Sequence, residues 1–161
     1  MKSSLSPPSK RPLLRGLSVS TRAAEFIEKV HATTEGLRED HGFRIIDEYE
    51  TRPPQPGIPS VCVILESDFL RFRFDWNLRD FVVLVGPVSV AGKWWALDAV
   101  LPALRAKSPR PAYVDPVTAS KVITENLAVL RAGLDAAHWQ DTFRQAERLV
   151  DWWLKAELRR K

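Results

Sequence analysis

Enzymatic chemistry needs nucleophiles, acid–base pairs or metal ligands gathered within reach of one another, and this chain is sparing with all three. Its histidines, His31, His41 and His138, belong to separate segments and form no HxxxH pair, and no CxxC spacing exists. The single cysteine, Cys62, lies inside the strand-like run SVCVILES, where it reads as a small apolar filler. A nucleophilic thiol would want a helix N-terminus or a histidine beside it. Glu66, Asp68, Asp75 and Asp80 sit at strand ends and turns. Such carboxylates can work as acid and base, but turns also recruit them for local hydrogen bonding. GPVSVAG lacks the Lys-Ser/Thr ending of a phosphate loop. The expectation is a protein that is not an enzyme and that holds no metal and no cofactor.

A binding surface is better supported. In DFLRFRFDW, Leu70, Phe72, Phe74 and Trp76 alternate with Phe69, Arg71, Arg73 and Asp75. This is the period of a half-buried strand, with the first set on the core. Alternation assigns the opposite face Arg44, Ile46, Glu48, Cys62, Ile64, Phe69, Arg71, Arg73, Val82 and Leu84. Arginines set in apolar surroundings can grip an acidic partner through forked hydrogen bonds. Phe69, Arg71, Arg73 and Leu84 are therefore the candidate partner-binding residues. The competing reading pairs Glu48 and Glu50 with the arginines across strands and covers the face with the C-terminal helices. The adjacent pairs Trp94-Trp95 and Trp152-Trp153 cannot direct both rings inward, so one ring of each is expected in the core and one at a rim.

The elements that must position these residues are readable in order. Residues 1–19, rich in Ser, Pro, Lys and Arg, read as a disordered basic arm, and 20–161 as one domain. Ser20 or Thr21 caps a helix carrying Ala23, Phe26, Ile27, Val30 and Leu37, which Gly42 ends. Four strands follow, beginning at Phe43, Val61, Phe69 and Phe81. The proline-rich TRPPQPGIP joins the first two, Ser67-Asp68 turns the second into the third, and Gly86-Pro87 ends the fourth. In the first strand Phe43, Ile45, Asp47 and Tyr49 share one face by alternation. Leu97 to Leu104 predict a short helix kinked by Pro102. After a second proline-rich linker, SPRPAYVDP, Asp115 and Pro116 start a helix that stops at Gly133. Trp139, Phe143, Ala146, Val150 and Trp153 mark the last helix, expected to form an antiparallel pair with the preceding one. Strands and helices come in runs, so the fold class is α+β: helix, four-stranded antiparallel meander, short helix, helix pair.

Composition narrows the function classes. The chain has 161 residues, 45% of them hydrophobic, enough for a domain core, and no apolar run of membrane-span length. The net charge of +4 comes from Lys2, Lys10, Arg11 and Arg15; without residues 1–20, basic and acidic residues balance. A basic face for nucleic acid is thus not indicated, and nucleic-acid association through the arm and exposed tryptophans is the secondary reading. MKSSLSPPSKRPLLRG lacks the apolar stretch of a secretory signal, and one cysteine suits a reducing compartment, so a cytoplasmic home is expected.

Gly42-Phe43-Arg44, Leu65-Glu66-Ser67, Leu70-Arg71-Phe72-Arg73-Phe74, Val85-Gly86-Pro87 and Trp94 or Trp95 with Leu97 and Val100 form a series of motifs. Over residues 35–105 this series resembles a group of small uncharacterised bacterial α+β proteins of immunity-protein style. The resemblance implies a non-enzymatic protein-binding module that occupies a bacterial toxin domain with an acidic surface. It brings no catalytic residues with it.

Overall fold

The computed structural model describes residues 21–51, 60–77, 80–105 and 113–160. The basic arm, most of both proline-rich linkers and Lys161 lie outside them. Helices α1 (Thr21–Thr33) and α2 (Glu35–His41) lead into strands β1 (Arg44–Thr51), β2 (Ser60–Glu66), β3 (Leu70–Trp76), β4 (Phe81–Pro87) and β5 (Trp95–Ala96). Helices α3 (Leu97–Arg105), α4 (Pro116–Gly133) and α5 (Trp139–Leu158) complete the chain. The class is α+β with an antiparallel sheet in the order β1-β2-β3-β4-β5.

Local chemistry accounts for most boundaries. The expected single N-terminal helix is broken at Thr34. There the Thr34 hydroxyl donates to Val30 O at 2.7 Å and the Thr33 hydroxyl to Lys29 O at 2.8 Å, bonds that compete with the helix ladder. Gly42, at φ 70°, closes α2 in the left-handed conformation. Asp115 and Thr118 form a reciprocal cap on α4, with Pro116 in its first turn. Pro102 lies inside α3.

The core face of the sheet holds Val63, Leu65, Leu70, Phe72, Phe74, Val83 and Val85, all fully buried. Trp76 stacks on Phe26 of α1, with ring centroids 5.5 Å apart. Above this face α1 lies over β2, α4 over β3, and α3 over β4 and β5. The helical layer thus runs α1, α4, α3 across the sheet, with α4 inserted between two helices that precede it in the chain.

Two expected features are corrected. The sheet has a fifth strand, because Trp95 and Ala96 pair with Val85 and Leu84. Two residues are too few to show a period. The last two helices are not an antiparallel pair, since α5 packs chiefly on α3. Between α3 and α4, Leu104 fills the space where a side chain on Gly133 would stand. The helices α3 and α5 each bring an apolar stripe that the other covers.

Candidate protein-docking face

Helices α1, α3 and α4 pack on the core face, α2 follows α1 and α5 packs on α3, which leaves the other side of the sheet without a described helix packed on it. Cross-strand register arranges most of that side in three rows. The first holds Arg44, Glu66, Arg71 and Gly86. The second holds Asp47, Ile64, Arg73 and Leu84, continued by Ala96. The third holds Tyr49, Cys62, Asp75 and Val82.

A β-bulge produces this arrangement. The register shifts between Ile45 and Asp47, so Ile45 faces Leu65 while Glu48 faces Val63. Simple alternation had put Asp47 and Tyr49 on the core side and Glu48 and Glu50 on the open side; the bulge exchanges them. Glu48 accordingly meets His31 of α1, Nε2 to Oε2 at 2.7 Å, on the helical side. The expected pairing of Glu48 and Glu50 with the sheet arginines does not form. An aspartate assigned to a core face was the one sequence signal of the shift.

The arginines are held by other carboxylates. Arg71 Nε donates to Glu66 Oε2 at 2.9 Å, and its Nη2 donates to Val88 O at 3.2 Å. Arg44 Nη2 donates to Glu66 Oε1 at 3.3 Å. Arg73 Nε donates to Asp75 Oδ1 at 2.9 Å. Arg71 thus braces the turn that follows β4. That turn brings Lys93 O to 2.1 Å and a Trp94 ring carbon to 3.5 Å from where a Gly86 side chain would begin. Only glycine allows the approach, and the turn stands as a rim over the Gly86 corner. The rows carry formal charges of +1, 0 and −1, since Arg44 and Arg71 outweigh Glu66, Arg73 matches Asp47, and Asp75 stands alone.

Between these ion pairs Ile64 and Leu84 are half-buried and Val82 is 38% exposed. Cys62 is 1% exposed, covered by its own row. Burial pushes its thiol up to about 12, and the bonds and charges of Tyr49, Asp75 and Arg73 act on it as well. The hydrogen bond with Cys62 and burial push the Tyr49 hydroxyl up to about 12 too. A thiol so strongly protonated is a poor nucleophile, and its role is packing.

Of the candidate residues, Arg71, Arg73 and Leu84 share the open face, whereas Phe69 does not sit in β3. Phe69 belongs to the hairpin turn. Ser67 N donates to Leu70 O at 2.9 Å, and Ser67 Oγ accepts from Leu70 N at 3.1 Å and Phe69 N at 3.3 Å. The serine does the work that an Asn-Gly turn would have advertised. The Phe69 ring, 59% exposed, is met by the Arg131 guanidinium of α4 at 5.5 Å. Tyr49, Asp47 and Asp75 replace it on the open face.

His138 and Asp135 bond at 2.6 Å in the turn before α5, and that bond holds the Asp135 carboxyl below its usual range. A cleft of about 310 Å³ lies on the opposite side of the molecule from the Arg71 row, lined among others by Phe26, Trp76, Phe81 and Asp115. Its Asp115 carboxylate caps α4. Among the described residues no three His, Cys, Asp or Glu side chains group as metal ligands. No described helix is long and apolar enough to cross a membrane. Trp153 is buried and Trp152 is 57% exposed, while Trp94 and Trp95 are both half-buried.

Comparison with protein-family models, with curated proteins and with solved structures finds no match to this chain.

Proposed function

We propose that this chain is a non-enzymatic protein-binding module that docks its partner on the open face of the sheet. The observation that carries the reading is the one-sided stacking of the helices. It leaves Ile64 and Leu84 accessible on the middle row and Val82 at the flank of a sheet whose arginines are already held in place. Apolar centres ringed by ordered polar groups are the usual make-up of docking sites. Pre-paired arginines also lose little side-chain freedom on binding. The resemblance over residues 35–105 supports a toxin domain as the class of partner, and the single buried cysteine suits a reducing compartment. An acidic partner would compete with Glu66 and Asp75 for the arginines, so its acidic groups would fall nearest Arg44, the most exposed of the three.

A photo-crosslinking side chain at Val82, compared with one at the exposed Ala132 of α4, tests this in the cells that carry the gene. The expected result is a discrete adduct with another protein from position 82 only. Identical adducts from both positions, or none from position 82, would refute the reading.

A further inference from the structure

We infer that in the absence of another partner the open face is occupied by a second copy of the chain, face to face about a two-fold axis along the middle row. This deepens the reading of the face as a protein-docking surface and rests on it. A two-fold axis lying in the interface and parallel to the rows keeps each strand over its own counterpart and reverses the order of the rows. The first row, at +1, then faces the third row, at −1, in both directions. On β3 the geometry is tightest. Arg71 and Asp75 are equally spaced about Arg73, so Arg71 of each copy lies over Asp75 of the other.

Two further features agree with the same axis. Ile64 and Leu84 lie on the middle row and meet their own counterparts on either side of Arg73. Arg73 and Asp47 meet their counterparts too, and Arg73 is bonded to Asp75, so each Asp75 lies between the Arg73 of its own copy and the Arg71 of the other. The rim of Lys93 and Trp94 rises over Gly86 in the first row of β4, and the reversal places it against Val82, the exposed residue in the third row of β4. A raised corner therefore meets a low apolar one. With strands about 4.8 Å apart and same-face rows about 6.8 Å apart, the contact covers roughly 500 Å² per copy. That is below the roughly 800 Å² per partner of a stable complex, so the dimer is weak and gives way to a better partner.

Sedimentation equilibrium on the full chain, from low micromolar to near-millimolar concentration, tests the inference. The wild-type mass should climb from 18.3 kDa toward twice that value. Arg71→Asp and Asp75→Arg should each remain monomeric, because each sets like charges over one another. An equimolar mixture of the two should associate again, since opposite charges then face across both contacts. Val82→Glu, at an exposed position, should also be monomeric, and Leu158→Lys, on the exposed end of α5, should associate as wild type. A wild type that stays monomeric overturns the inference; if Val82 still crosslinks to another protein, the docking face survives without the dimer. Association that Val82→Glu leaves unchanged places the contact elsewhere and also overturns it.

Discussion

Replacing Cys62 by serine isolates the stability linked to one buried proton. The thiol is pushed from its ordinary 9.0 up to about 12 in the folded chain, mainly by burial. Its folded pKa is raised, so its contribution is complete below the unfolded pKa and is lost as pH rises from there toward the folded value. At about pH 10 roughly ten in eleven unfolded chains have released this proton and almost no folded chain has, which costs about 1.4 kcal/mol relative to about pH 8. Serine keeps a hydroxyl for Tyr49 and does not titrate. Urea unfolding of both proteins at the two pH values is the assay. Wild type should lose about 1.4 kcal/mol more than Cys62→Ser across that interval, provided the serine hydroxyl holds Tyr49 as the thiol does; groups that do not touch residue 62 contribute equally to both. Parallel losses in the two proteins would show that the thiol ionises as readily folded as unfolded. The same burial predicts that a thiol-specific disulfide reagent reacts at neutral pH only once denaturant opens the sheet.

Other perturbations test the frame around the face. Gly86→Ala would place a methyl 2.1 Å from Lys93 O, a backbone atom that cannot step aside; a loss of about 1–3 kcal/mol in urea unfolding is expected. Arg71→Met leaves Glu66 with Arg44 alone and takes the guanidinium donor from the Val88 carbonyl, with an expected cost of about 1–3 kcal/mol, and Arg71→Lys should recover only part of it because an ammonium lacks the fork. Asp115→Ala removes the half of the α4 cap that the Asp115 carboxylate makes with Thr118 N, while the backbone amide of residue 115 keeps Thr118 Oγ1 as its acceptor; it should cost about 1 kcal/mol by thermal or chemical unfolding, with Asp115→Asn closer to wild type. The Thr118 amide bond holds the Asp115 carboxyl below its ordinary value. That contribution is present above the unfolded carboxylate pKa and fades as pH falls through the folded one, so wild type and Asp115→Ala should converge in acid.

Much of the frame was legible in the residues. Leu70, Phe72 and Phe74 announce a strand with one buried side, and all three are fully buried. Asp115 followed by Pro116, and Gly42 after a helical stripe, mark helix ends where the structure has them. These signals are local, because capping bonds and alternation involve residues within a turn or a pleat of one another. The boundary at Thr34 was missed because a threonine's bond back to the preceding turn competes with a ladder that the same stripe of apolar residues supports.

The docking face itself belongs to the other category. From sequence alone, Arg71, Arg73 and Leu84 can be put on the side opposite the core, and no catalytic grouping of side chains is evident. Which carboxylates hold the arginines was decided by a single bulge after Ile45, which moves Glu48 toward His31 and Tyr49 toward Cys62. Phe69 was taken off the face by Ser67, whose hydroxyl closes the hairpin one residue later than the pattern suggests. Whether the face is open at all depended on where α5 packs. Its apolar stripe suits a sheet or a helix equally, and only the tertiary structure sends it to α3 and leaves the Arg73 row without a described helix over it. Periodicity records that a side chain is buried; it carries no information about which distant surface does the burying.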